Sequence, residues 1–180
     1  MKKNLLIALI VLMAGAITSA HAQENVFKIN ILSPVFQTLN LSYERKLSAT
    51  GSFQLGFFYT GYNSGGSTFR GIGITPEYRF YLSETEAPNG VYVAPYMRYQ
   101  NFELNEEDNN SIDKGTLTLF GGGLIIGKQW IFKEKISLDV FIGPQYSSGN
   151  VKVVSGTDNF DNNPFDGFTV RAGLTLGFAF

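Results

Sequence analysis

The feature that most restricts the fold is a period-two alternation of apolar with polar or small residues. The C-terminal segment VRAGLTLGFAF, residues 170–180, shows it most clearly. One face carries Val170, Ala172, Leu174, Leu176, Phe178 and Phe180, and the other carries Arg171, Gly173, Thr175, Gly177 and Ala179. Successive side chains of a β-strand point to opposite faces, so this period predicts a strand.

Eight runs of this kind follow residue 22, and none of the segments between them has a helical period. The runs cover residues 27–31, 39–45, 52–60, 71–82, 91–100, 116–130, 136–143 and 170–180. The sixth run contains Gly121-Gly122-Gly123, where we expect a bulge or a bend. A membrane-crossing strand takes about 9–11 residues. The part of the chain after residue 22 is therefore long enough for eight such strands with their connections, but too short for sixteen.

The N-terminal segment differs from the rest of the chain. Lys2 and Lys3 precede an apolar run from Leu5 to Ile17, and Ala20-His21-Ala22 forms an A-x-A cleavage site. This arrangement is typical of a secretory signal peptide, and a retained anchor helix is the alternative. We therefore expect residues 1–22 to be a cleaved signal peptide and residues 23–180 to form one barrel domain.

An alternating barrel can have its apolar face inside, as soluble barrels do, or outside against lipid. Aromatic residues decide between the two, because they cluster at both ends of the runs while Leu, Ile, Val and Ala occupy the middles. One end carries Phe27, Tyr43, Phe53, Tyr78, Phe80, Trp130, Phe178 and Phe180; the outer end carries Phe36, Tyr59, Tyr62, Phe69, Tyr99, Phe102, Tyr146 and Phe168. Two aromatic girdles around an aliphatic band indicate a membrane barrel.

The opposite face carries small and polar residues with a few balanced charges. A narrow lumen favours small residues and paired charges. The predicted lumenal ion-pair network consists of Lys28, Glu44, Glu77, Arg79, Arg98, Asp139 and Arg171. Tyr81, Phe58, Tyr96 and Phe141 also face inward in this register, and their bulk excludes a wide pore.

The connections alternate between short and long, as in outer-membrane barrels with short periplasmic turns. The longer outer loops include NEEDNNSIDK and a segment that ends in TDNFDNNPFDG. Their acidic and aromatic residues are weak candidates for binding a surface protein or a glycan: Glu106, Glu107, Asp108, Asp158, Phe160, Asp161, Phe165 and Asp166. Their spacing does not match a calcium-binding loop, so we predict no metal site.

These features resemble the small outer-membrane barrels of the OmpA/OmpX type. The stretches VFKINIL, LNLSYERKLS and SFQLG are similar, more closely, to a family of small barrel proteins of unknown function. The resemblance implies an eight-stranded antiparallel up-and-down barrel. It also implies that the terminal Phe180 is the signal read by the outer-membrane assembly machinery.

The residue inventory limits the chemistry. The chain has no cysteine, and its one histidine, His21, lies in the predicted signal peptide. Histidine-dependent triads and histidine–zinc sites are therefore excluded from residues 23–180. Without Lys2 and Lys3, 12 basic residues face 15 acidic ones, which does not favour nucleic acid.

Three functions remain open at this stage. The favoured one is a monomeric, non-enzymatic outer-membrane barrel without a cofactor, in contact with lipid and acting as a structural or surface-interaction protein. A narrow channel or transporter for small solutes is the second. An enzyme that uses lumenal carboxylates is the third, and Glu44, Glu77 and Asp139 are its candidate residues.

Overall fold

The computed structural model describes residues 24–64, 67–108, 111–155 and 166–180. Within them the chain forms eight β-strands and one 3₁₀ helix, Ser33–Phe36. The strands are β1 Asn25–Asn30, β2 Thr38–Lys46, β3 Gly51–Ser64, β4 Ser67–Tyr81, β5 Gly90–Asp108, β6 Ser111–Phe132, β7 Ile136–Ser155 and β8 Gly167–Ala179. The predicted signal peptide lies outside the described residues. No helix in the described ranges is long and apolar enough to cross a membrane.

The sheet closes on itself. Each strand pairs antiparallel with its neighbours in sequence, and β1 also pairs with β8. At the closing seam the Asn25 amide donates to the Phe180 carbonyl at 3.1 Å, and the Phe180 amide donates to the Asn25 carbonyl at 2.9 Å. The prediction of a closed, eight-stranded, antiparallel up-and-down barrel is therefore confirmed.

The alternation sorts side chains between the wall's two surfaces. Large apolar residues in the middle of the wall point outward and are exposed, among them Leu55, Ile74, Ile126 and Ile142. Burying these groups in lipid is favourable, whereas contact with water is costly. The outer surface therefore has the character of a lipid-facing belt.

The outer aromatic girdle needs one correction. Phe69 and Phe102 share the parity of the inward-facing Gly71 and Arg98, and their rings stack on each other with centroids 5.3 Å apart. They therefore line the inner face of the wall at the outer mouth. Period-two alternation, not aromatic identity, determines the face on which a strand residue lies.

Of the bulge or bend expected at residues 121–123, the bulge does not occur. Strand β6 keeps one register with β7 on both sides of the three glycines, and the shift lies instead between Lys114 and Gly115. Close strand packing accounts for the glycine at 123, because a Cβ there would lie 2.1 Å from the carbonyl oxygen of Pro144. This glycine therefore permits close contact between neighbouring strands.

The barrel wall is taller on one side than on the other. Strands β5, β6 and β7 have 19, 22 and 20 residues, whereas β1 and β2 have 6 and 9. Because about 9–11 residues cross a bilayer, the three long strands continue beyond it at the outer end. The segment expected to be a long loop after β5 is mostly a continuation of β5 and β6.

Candidate functional site

Small residues create room for large ones inside the barrel. A Cβ on Gly177 would lie 2.9 Å from Cγ of Lys28, and a Cβ on Gly127 would lie 2.5 Å from the Tyr92 hydroxyl. The glycines on the inner faces of β6 and β8 therefore leave space for the side chains of β1 and β5. These side chains fill the half of the lumen nearest the termini.

Lys28 is at the centre of a buried cluster in this half. Its Nζ donates to Glu44, to Gln129, to Gln54 at 2.9 Å and to Asp139 at 3.3 Å. Both charged partners, like Lys28 itself, have no exposed surface. Four acceptors from four other strands thus surround one ammonium group.

Arg79 is the second cation of the cluster. Its Nε donates to Glu77 at 2.7 Å, and its Nη1 donates to Asp139 at 2.8 Å and to Gln129 at 3.1 Å. The guanidinium also lies 4.2 Å from the ring centroid of Tyr92, an arrangement that favours a cation–π interaction. Arg79 therefore links strands β4, β5, β6 and β7 through the interior.

Tyrosine and serine hydroxyls complete the coordination of the carboxylates. Tyr81 donates to Glu44 at 2.6 Å, and Tyr92 donates to Asp139 at 2.8 Å. Ser52 also donates to Glu44. Hydrogen bonds to the charged form compensate part of the cost of burying these carboxylates.

Arg171 extends the cluster toward the outer end. Its Nη1 donates to Glu77 at 3.0 Å, and its guanidinium lies 4.4 Å from the ring centroid of Tyr96 and 4.8 Å from that of Phe141. Glu77 therefore bridges Arg79 and Arg171.

The turn between β4 and β5 packs beneath the cluster. Gln129 Nε2 donates to the Pro88 carbonyl at 2.6 Å, and the Ala87 amide donates to the Ala49 carbonyl at 2.8 Å. Ala87 is buried against this end of the barrel. We call the polar cluster the lumenal plug; its members are Lys28, Glu44, Ser52, Gln54, Glu77, Arg79, Tyr81, Tyr92, Gln129 and Asp139.

Of the seven residues predicted for the ion-pair network, the structure brings six together and leaves Arg98 apart. Arg98 forms no ion pair with the described residues, and its buried Nε has no hydrogen-bond partner. Its guanidinium lies 4.9 Å from the ring centroid of Phe58. Arg98 lies closer to the outer end than the carboxylates, and the described residues do not include it in the network.

Above the plug lies a cavity of about 200 Å³ that opens toward the outer end. Arg98, Arg171 and Thr175 line it together with Asn30, Asn40 and Gln54. The Thr175 hydroxyl, like Arg98 Nε, is buried without a partner. The cavity is therefore positively charged and contains unused hydrogen-bonding groups.

The predicted loop-binding residues are not gathered into one site. Glu106, Glu107 and Asp108 belong to strand β5 and not to a loop, because the strand extends to residue 108. Asp166 accepts from the Gly149 amide at 2.7 Å and from Ser148 Oγ at 3.3 Å. The other four predicted residues, Asp158, Phe160, Asp161 and Phe165, lie outside the described residues.

At the rim near the termini, Lys46 and Glu86 form an exposed ion pair with Nζ and Oε2 2.5 Å apart. The hydrogen bond from Lys46 and its charge lower the pKa of the Glu86 carboxyl. Among the described residues no group of three His, Cys, Asp or Glu side chains is placed to hold a metal ion.

Sequence analysis missed part of the plug. Gln54, Gln129, Ser52 and Tyr92 each bind a charged member, yet none was singled out as a member of the network. Their signal was available, since each occupies an inward position of its strand. The sequence did not show at which height along the barrel axis each inward side chain lies, and therefore which side chains are in contact.

The fold and the plug define an eight-stranded membrane β-barrel with a filled lumen. The chain belongs to the family described as "Protein of unknown function (DUF3575)", whose sequence profile matches residues 7–152. No curated protein matches it significantly.

Two solved structures are similar in fold. A major outer membrane protein from Thermus thermophilus has 16% sequence identity and a TM-score of 0.50, over 89% of this chain and 100% of that one. The N-terminal β-barrel domain of Pseudomonas aeruginosa OprF has 15% identity and a TM-score of 0.45, over the same shares of the two chains. At this level of identity, the similarity to the Thermus thermophilus structure concerns the fold alone.

Proposed function

We propose that this protein is a closed, non-enzymatic barrel of the outer membrane with a structural or surface-interaction role. The single observation that carries the proposal is the lumenal plug, in which Lys28, Glu44, Arg79 and Asp139 have no exposed surface. An eight-stranded barrel is just wide enough for side chains to fill it. Solute passage through this plug requires several buried ion pairs to separate.

The exposed apolar belt supports insertion into a membrane. Outward-facing residues such as Ile126 and Ile142 are 54% and 55% exposed, which a water-facing surface of this extent does not tolerate. The proposal includes export by the signal peptide at residues 1–22 and insertion of residues 23–180 as a monomer. It also includes recognition of Phe180 by the assembly machinery.

The state of the lumenal carboxylates argues against catalysis. General acid–base work by two carboxyl groups needs one of them protonated and both accessible to substrate. Glu44 and Asp139 are fully buried, and each is bound by a cation and by a tyrosine hydroxyl. These contacts occupy both groups in structural interactions.

The surface role is assigned to the part of the wall that continues beyond the bilayer. Strands β5 to β7 supply this extension, and loops on a rigid scaffold are common sites of recognition. A surface protein or a glycan is the proposed partner class.

Swelling of liposomes that contain the purified barrel tests the closed state. We expect no swelling in solutions of small sugars or amino acids, with an open porin as the positive control. Solute-dependent swelling at a rate proportional to the amount of folded barrel would contradict the proposal and favour the channel alternative.

A further inference from the structure

The barrel wall is incomplete on one side at its outer half. Strand β1 ends at Asn30, whereas its neighbour β8 continues outward to Gly167. The last hydrogen bond of this seam runs from the Ile31 amide to the Leu174 carbonyl at 3.0 Å. In the described part of the chain, residues 167–173 pair with β7 alone, so a lateral gap separates β8 from the 3₁₀ helix Ser33–Phe36.

An apolar groove of about 660 Å³ follows this gap on the wall. It lies within the range of volumes that binding sites for small molecules occupy. Outward-facing side chains of β7 and β8 form one side, and the segment around the 3₁₀ helix forms the other. Its principal apolar residues are Leu32, Phe36, Val140, Ile142, Ala172 and Leu174.

The groove and the lumenal cavity meet at the gap. Five residues line both: Asn30, Ser33, Phe36, Phe141 and Ala172. The groove and the cavity are therefore adjacent across these residues, on the outer side of the plug. The groove side is apolar and faces the lipid, and the cavity side is polar.

On the cavity side, one cation has no carboxylate partner among the described residues. The described lumen contains three carboxylates, those of Glu44, Glu77 and Asp139, and they are paired with Lys28, Arg79 and Arg171. Arg98 is a fourth cation that has no carboxylate partner among the described residues, and arginine stays protonated. Arg98 and Arg171 line the same cavity, so an anion there would meet two guanidinium groups.

We propose that the gap is a binding site for an amphiphile with a single acyl chain and an anionic headgroup. The headgroup binds Arg98 beside Arg171 and Thr175, and the acyl chain leaves through the gap into the groove. Charge complementarity selects the headgroup, and the apolar groove selects the chain. The site goes beyond the proposed closed barrel, because binding from the membrane requires no conduction through the plug.

The test uses the full barrel in phosphatidylcholine nanodiscs with radiolabelled palmitate as the probe. We expect saturable binding of one palmitate per barrel above the level of empty nanodiscs. Arg98→Gln should weaken it about tenfold to a hundredfold, as expected for the loss of a charged hydrogen bond. Arg98→Lys should restore part of the affinity, and the exposed Arg70→Gln serves as the matched control.

A second pair of variants tests the gap itself. Ala172→Trp places a large ring where the groove and cavity meet and should abolish palmitate binding. Leu176→Trp makes a similar addition farther along the same outward face of β8 and should leave binding unchanged. A difference in gel mobility between the unboiled and the boiled barrel shows that each variant is folded.

Three results would overturn the proposal. Equal palmitate affinity in the wild type and in folded Arg98→Gln would remove the role of the charge. Equal binding of the neutral monopalmitoylglycerol would mean that the groove takes any acyl chain. Full competition by inorganic phosphate would mean that the cavity is a small-anion site. A conducting barrel would contradict the proposed function but not this site, so the two failures are distinguishable.

Discussion

Arg79 on β4 and Asp139 on β7 meet inside the barrel, where Nη1 donates to Oδ2 at 2.8 Å. The two strands are not neighbours in the sheet, so this ion pair joins opposite parts of the wall. Lys28 of β1 binds the same carboxylate oxygen at 3.3 Å. Asp139 therefore joins the two buried cations of the plug, as Glu44 also does through Lys28 and, at 3.5 Å, Arg79.

Asp139→Asn should destabilise the barrel strongly. The variant keeps the shape of the side chain but leaves Arg79 and Lys28 short of one compensating charge in a buried site. Breaking a buried ion pair on one side costs about 3–5 kcal/mol. The free energy of unfolding in urea, measured in phosphatidylcholine vesicles, checks this. Lys46→Gln, which removes the exposed pair with Glu86, is the control and should unfold like the wild type.

Two lumenal arginines should respond differently to the same substitution. Arg79→Met removes a cation from the plug and should cost about 3–5 kcal/mol. Arg98→Met removes a cation that has no carboxylate partner among the described residues and lies over the Phe58 ring, so its cost should stay near ~1 kcal/mol. Urea titrations of both variants side by side make the comparison. Equal destabilisation would show that Arg98 belongs to the stabilising network.

The close approach of β6 and β7 makes one glycine indispensable. A Cβ on Gly143 would lie 2.1 Å from the Leu124 carbonyl oxygen and 2.7 Å from Cα of Ile125, both in the backbone of β6. Gly143→Ala should therefore cost about 1–3 kcal/mol, the usual range for overpacking. Gly61→Ala is the control, because its nearest atom is the mobile Tyr59 hydroxyl at 3.3 Å. Equal stability of the two variants would contradict the close approach of β6 and β7 at Gly143.

The orientation in the membrane can be tested with single cysteines, since the chain has none of its own. Lys152 lies exposed on the outer part of β7, and Lys135 lies exposed in the turn between β6 and β7. On intact cells, a membrane-impermeant maleimide should label Lys152→Cys but not Lys135→Cys. After lysis both should react. Labelling of Lys135→Cys but not of Lys152→Cys would show that the barrel has the opposite orientation in the membrane.

The sequence predicted the faces of the strands better than their relative positions. Period-two alternation is local, so the inward direction of Lys28, Glu77 and Arg171 could be recognised without a structure. Which carboxylate meets which cation depends on strand register and tilt, which a single strand does not encode. The isolation of Arg98 could not be predicted for this reason.

Two other errors have related causes. Polar composition suggested a loop at Glu106, Glu107 and Asp108, but cross-strand pairing with β6 extends β5 through them. Consecutive glycines suggested a bulge or a bend at residues 121–123, yet Gly121 and Gly123 serve close packing against β7 and Gly122 serves it against β5. Composition therefore indicates which conformations a segment can adopt, whereas pairing with neighbouring strands determines which conformation it adopts.

Single-channel recording of the purified, folded barrel in a planar lipid bilayer tests the central claim most directly. Because Arg79, Lys28 and their carboxylates fill the lumen, the wild type should give no current steps. Asp139→Asn, if it remains folded, should be the first variant in which transient openings occur. Stable, discrete steps from the wild-type barrel would contradict the account, because the plug would then be a gate.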